Sequence, residues 1–204
     1  MIVMTEYRHY RVVVLGAQNT GKSTMCYYLQ NSRFNENLGS TIGATYLTKT
    51  LISETGEKYR CSFWDTAGSE RFSIMLPQYV RKADAVLICY DIEDAYEIDK
   101  YYHLVRNYAS DARIILVRTK IDIEGRFIPP EEKLNFANYI NFLEQIDGKI
   151  KLSSKTGTGF DVLVKILCDS LSKIKNSQSE IPPVQLDKID VKLSTKPRSV
   201  CCAL

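Results

Sequence analysis

The chain lacks a dense basic stripe. Its 27 Lys and Arg stand against 24 Asp and Glu, a formal net charge of +3. These basic residues are not clustered with interleaved aromatics, which argues against a nucleic-acid partner. Long apolar runs are missing too. Ala85 to Tyr90 and Ile114 to Val117, the longest aliphatic stretches, fall far short of the ~20 residues that a bilayer-spanning helix needs. The opening MIVMTEYRHYR has no basic start followed by an extended apolar run, so it does not read as a secretory signal, and a cytosolic body is expected. Nor is there metal-ligand spacing among Cys26, Cys61, Cys89 and Cys168. Scattered through apolar or periodic segments, these read as small core residues in a reducing compartment. No internal repeat is present, and 204 residues suffice for one well-packed domain but not for two ordinary ones.

What the chain does have is an alternation of strand-like and helix-like segments. Strands are expected at Tyr10 to Leu15, Tyr46 to Ser53, Lys58 to Trp64, Ala85 to Tyr90, Ile114 to Val117 and Lys149 to Leu152. Glu54 to Glu57, with Gly56, suits a hairpin turn between the second and third. The continuous apolar runs are those of strands buried on both faces of a parallel sheet. Helices are expected at Lys22 to Asn31, Tyr96 to Ser110, Pro130 to Ile146 and Gly159 to Lys175. The reading is an α/β fold: a six-stranded, mostly parallel sheet with one antiparallel edge strand, flanked by about five helices. A domain over 1–176 is expected, followed by a flexible tail over 177–204, where Ser, Pro, Gln and alternating charges replace aliphatic periodicity.

Three motifs follow strand ends, where ligands of such folds bind. Gly16-Ala17-Gln18-Asn19-Thr20-Gly21-Lys22-Ser23 matches GxxxxGKS between a strand and a helix. Its backbone N–H groups, with Thr24 in the first helical turn, can cradle phosphates, Lys22 supplies a charge to them, and the Ser23 hydroxyl can bind Mg2+. Asp65-Thr66-Ala67-Gly68 places a carboxylate where it can hold the Mg2+ shell through water. Gly68 can bring its N–H to a γ-phosphate, a contact that exists only in the triphosphate state. Thr119-Lys120-Ile121-Asp122 offers a carboxylate for the N1–H and 2-amino group of guanine, with Lys120 along the ring. Ser153-Ser154-Lys155 can add backbone donors to guanine O6. A TKxD quartet alone is as often a surface turn, and its weight here comes from order and spacing.

This ordered set resembles the Ras superfamily of small GTPases and, within it, the Rabs, over about residues 8–176. "WDTAG", "STIGATY" at 40–46, "YDI" at 90–92 and the terminal double cysteine carry the resemblance. "STIGATYLTKT" is similar to the early-endosomal branch, including its atypical autophagy-linked member. The resemblance implies a GTP/GDP switch with Mg2+. It places Phe34 in a stack on guanine and Thr41 on Mg2+ and γ-phosphate, and it makes Lys22, Thr41, Gly68 and residue 69 the catalytic set. Without the resemblance, Phe34 would also suit a core position.

The chain departs from the family pattern at four positions. Thr119 stands where asparagine is usual, as in Rho-type relatives, and Ser154 stands where alanine is usual. Gln18 occupies a place that Rabs give to a small residue, where it can obstruct an incoming catalytic group. Ser69 replaces the glutamine that orients the attacking water, and a serine is too short for the same direct contact. Arginine-finger activation reaches about 10⁵-fold with that glutamine present, so slow intrinsic hydrolysis is expected. Rab-type activating proteins bring both an arginine and a glutamine in trans, so the expected state is slow rather than irreversible.

"CCAL" ends the chain in a geranylgeranylation pattern with a second cysteine. In residues 177–204, Lys188, Lys192, Lys196 and Arg198 oppose Glu180, Asp187 and Asp190, too weak a charge excess to hold a singly lipidated protein on a bilayer. Double prenylation of Cys201 and Cys202 is therefore expected. Expected partners are effectors at the switch segments, a guanine-nucleotide exchange factor, a Rab-type GTPase-activating protein, a prenylation escort, a GDP-dissociation inhibitor and the membrane itself. The expected location is the cytosol and the cytoplasmic face of intracellular membranes, endosomes in particular. Two alternatives remain: a GTP-loaded membrane adaptor with negligible hydrolysis, and a P-loop kinase, for which no phosphoacceptor pocket or lid insertion is evident.

Overall fold

In β1 (His9–Leu15) the run Val12-Val13-Val14-Leu15 has no polar residue to set an outer face, and all four side chains are fully buried. Such a strand belongs in the middle of a sheet covered on both sides. The computed structural model, which describes residues 8–123 and 145–178, places it there. The other strands are β2 (Ala44–Ile52), β3 (Lys58–Thr66), β4 (Ala85–Tyr90), β5 (Arg113–Arg118) and β6 (Gly148–Lys151). Their order across the sheet is β2-β3-β1-β4-β5-β6. Only the β2–β3 pair is antiparallel, closed by the turn in which Gly56 N donates to Ser53 O at 2.9 Å.

The helices are α1 (Lys22–Asn31), α2 (Leu76–Val80), α3 (Ile98–Tyr108) and α4 (Phe160–Gln178), with 3-10 segments at Glu70–Met75 and Ile92–Glu97. Alternate residues of a strand point to opposite faces, and β1 divides the helices accordingly. Val12 and Val14 pack with Met25 and Leu29 of α1 and Leu163 and Leu167 of α4. Val13 and Leu15 pack with Leu76 and Val80 of α2 and Ile98 and Val105 of α3. Each such side chain contributes about 1.5–3 kcal/mol on burial. Among the described residues, no helix is long and apolar enough to cross a membrane.

The sequence predicts β4 and α1 to the residue, and most differences elsewhere lie at element ends. The Tyr96 to Ser110 helix is α3, shortened at both ends because a tighter 3-10 segment precedes it and Ala109 leaves the helical region at φ −151°. α4 runs on to Gln178. The five-residue α2 was not foreseen, being one turn with proline at its start and too short for periodicity to register. The helix expected over Pro130 to Ile146 lies outside the described residues except for Gln145 and Ile146, which are not helical.

Candidate functional site

β1 delivers the loop at residues 16–21 to the carboxyl edge of the sheet, and α1 begins at once behind it. α1 has no side-chain cap and no acid in its first turn, so its first N–H groups are left for an anion. Lys22 is buried. Its Nζ donates to Ala17 O at 2.6 Å and lies 3.5 Å from Thr20 Oγ1. Opposite stands Gly68, where a Cβ would fall 2.5 Å from both Lys22 Nζ and Ala17 O. Only glycine lets that backbone come so close to the lysine.

Gln18, Asn19, Gly21, Lys22, Ser23 and Thr24 line one cavity of about 370 Å³ with Thr41, Gly68, Ser69 and Lys120. Ten of the expected residues are thus brought to one place. Leu38, Gly39, Ser40 and Thr66 complete the wall; sequence reasoning missed Leu38 and Gly39 because no motif marks them, and Ser40 and Thr66, which stand inside quoted motifs, were given no role. Ser69 precedes the 3-10 segment in extended conformation (φ −70°, ψ 136°), and its side chain makes no capping bond.

Below the cavity lie the expected metal ligands. Ser23 Oγ and Thr41 Oγ1 are 2.8 Å apart, and Thr41 Oγ1 donates to Asp65 Oδ2 at 3.3 Å. Thr45 Oγ1 also donates to Asp65 Oδ2 at 3.3 Å. Sequence reasoning missed Thr45, yet the hairpin register pairs it with Asp65, and counting back from the Gly56 turn would have found it. Asp65 Oδ1 is buried without a hydrogen-bond partner. Burial pushes the Asp65 carboxyl above its ordinary range, against the opposing pull of Ser23, Lys22, Thr45 and Thr41. An unsatisfied carboxylate oxygen beside two hydroxyls is a hard-oxygen donor set that fits Mg2+. Ser23 and Thr41 would hold the ion with Asp65 behind them, and the ion would supply positive charge to the β- and γ-phosphates. Among the described residues no group of three His, Cys, Asp or Glu offers an alternative metal site.

The residues expected to recognise the base follow β5 and β6. Thr119 Oγ1 donates to Thr20 O at 2.5 Å, with Tyr90 O at 3.2 Å. A hydroxyl has one proton to give, and the shorter bond takes it, tying the loop at residues 16–21 to the end of β5. Lys120 holds a left-handed backbone (φ 56°), and its Nζ is 3.1 Å from Asp91 Oδ2. Asp122 Oδ1 accepts a 2.5 Å bond from Ser153 Oγ, which itself accepts from Lys155 N and Thr156 N at 3.2 Å each. Lys155 N, expected as a donor to guanine, is thus used inside the turn. Phe34 is 39% exposed and does not line the phosphate cavity. Cys201 and Cys202 lie outside the described residues.

The family model of the Ras family matches residues 11–169. Ras-related protein Rab-12 of Rattus norvegicus is 31% identical over 190 residues, covering 85% of this chain and 78% of that protein. Rab-12 of Homo sapiens is 30% identical over the same span and coverage. The Ras-like GTP-binding protein RYL2 of Yarrowia lipolytica is 30% identical over 171 residues, covering 79% of this chain and 80% of its own length.

Proposed function

This chain belongs to the Ras family and is a Rab-type small GTPase, and on that premise we propose a prenylated GTP/GDP switch of vesicle traffic whose intrinsic hydrolysis is slow. The kinase alternative falls with the family membership. The observation that carries the reading is the juxtaposition of Gly68 with Lys22 above the joined Ser23, Thr41 and Asp65. A triphosphate with Mg2+ at that point would hold both residue 41 and residue 68, and loss of the γ-phosphate would release them.

Guanine is selected by Asp122, with Lys120, Phe34 and the turn at Ser153, Ser154 and Lys155 around the base. Ile42, Ile74 and Tyr46 are 81%, 84% and 55% exposed on the segments beside the switch, which suits contact with effectors, an exchange factor and a Rab-type activating protein. The domain at 1–176 works on a tether, 177–204, whose Cys201 and Cys202 carry the prenyl groups. A prenylation escort and a GDP-dissociation inhibitor handle those groups between membranes. The resemblance of "STIGATYLTKT" supports endosomal membranes as the destination. Intact-mass analysis of protein from its native cells tests the lipidation, and an unmodified terminus refutes it.

Ser69 lines the phosphate cavity without the reach to orient water. In single-turnover assays Ser69→Gln is expected to speed GTP hydrolysis by about tenfold or more, a fraction of what positioned proton-transfer groups contribute, and equal rates would sink the idea. A second reading has an observation of its own: Gln18 lines the same cavity as Ser69, where it can obstruct a catalytic group brought in trans. The protein would then be a GTP-loaded adaptor, timed by exchange or degradation. Turnover with and without a Rab-activating domain separates the two, since acceleration favours the switch and its absence the adaptor.

A further inference from the structure

We propose that Tyr28 is a positioning residue for guanine recognition, bracing from α1 the turn that holds Asp122. The inference rests on the guanine-nucleotide reading of the site. In α1, Met25 and Leu29 point into the core, while Tyr28 sits at the flank of that stripe and is only half-buried. Its ring packs on Phe160, the first residue of α4, with centroids 4.2 Å apart at 35°. The ring also lines, with Phe160, a groove of about 630 Å³.

The tip of the ring reaches the turn. Gly157 has φ +79°, and a Cβ built there would lie 2.1 Å from Tyr28 Oη and 2.9 Å from Cζ. The phenol therefore occupies the space that any other residue at 157 would need, and it bars the turn from moving toward α1. The turn itself is closed, since Gly157 N donates to Ser153 O at 2.9 Å and Ser153 N donates to Thr158 O at 3.0 Å. Ser153, with no exposed surface, then grips Asp122 Oδ1. The contacts run from Tyr28 through Gly157 and Ser153 to the carboxylate that faces the base. The same helix carries Lys22 and Ser23 at its other end, so phosphate and base recognition share one rigid element.

The experiment compares dissociation of fluorescent GDP and IDP from the full chain with Mg2+. Hypoxanthine lacks the 2-amino group that Asp122 accepts. A misplaced Asp122 therefore weakens GDP more than IDP, whereas a general loosening of the fold accelerates both equally. Tyr28→Leu is expected to narrow the GDP-over-IDP preference by about fivefold, the worth of one hydrogen bond. Tyr28→Phe keeps the ring on Phe160 but removes the Oη nearest Gly157, and is expected to narrow the preference by a smaller factor than Tyr28→Leu. Gly157→Ala pushes on the same contact from the other side and is expected to narrow it, which supplies a readout should Tyr28→Leu not fold. An unchanged preference in Tyr28→Leu, or in Gly157→Ala where only that variant folds, overturns the brace. A wild-type protein with no GDP preference would remove the guanine reading and the brace together.

Discussion

One wall of the phosphate cavity is rooted in the core, and the opposite wall is not. The loop at 16–21 and α1 rest on Thr20, Lys22, Met25, Cys26 and Leu29, all buried, and Thr119 ties Thr20 O to the strand behind. Across the cavity, residues 38–43 contain no helix or strand, and Glu70–Met75 has no buried residue. Ile42 and Ile74 there are more than four-fifths exposed. The second wall is held through a handful of polar contacts, chiefly those of Thr41 and the 2.8 Å bond from Ala67 N to Gly43 O. Local stability follows buried apolar contact. The first wall therefore keeps its shape with or without ligand, while the second is ordered by what it touches.

The largest test of this difference removes the charge that the fixed wall contributes. Lys22→Ala should weaken GDP and GTP alike by about 2–5 kcal/mol, the cost of leaving a buried charge without its partner, measured by equilibrium titration. A change confined to GTP would break the comparison. Thr41→Ala acts on the other wall and should weaken GTP by about 1 kcal/mol, one hydrogen bond's worth, with GDP nearly unchanged. Hydrogen exchange over residues 38–43 should then no longer distinguish the two nucleotides. The smallest expected effect is a null result. Burial pushes the Cys89 and Cys61 thiols up to about 12 and Cys168 to about 11, and it raises Cys26 as well. A raised thiol stays protonated and unreactive below its shifted value. At pH 8 a thiol reagent should spare these four in the nucleotide-bound protein, and rapid labelling of Cys26 or Cys89 would show the fixed wall opening.

The same difference explains what could be read from the sequence. α1 and β4 were legible to the residue because their apolar pattern and their neighbours in the chain agree. The position of the loop at 16–21 was legible because its pattern is local, with Gly16, Gly21, Lys22 and Ser23 spaced within a few residues between β1 and α1. Leu38 and Gly39 carry no pattern, because they reach the cavity through tertiary closure rather than through propensity. Thr45 was hidden in a strand, although its partner follows from the hairpin register. Thr119 stands in the base motif, and the bond its hydroxyl gives to Thr20 O could not be read there, because it depends on elements distant in sequence.

Residues 32–43, between the end of α1 and the start of β2, carry one further consequence. Fixing a residue's backbone costs about 1–2 kcal/mol of conformational entropy, and the hydroxyl contacts of Thr41 return about 0.5–1.5 kcal/mol each. Two such contacts order two or three residues at most, and the segment is several times longer. The Ala67 N to Gly43 O bond adds little to this, and under the proposed switch the remainder would come from the nucleotide, so the lifetime of the ordered state would follow how long the triphosphate persists. Under the proposed switch, the segment would work as a timer run by chain entropy, its interval set by the chemistry at residue 69.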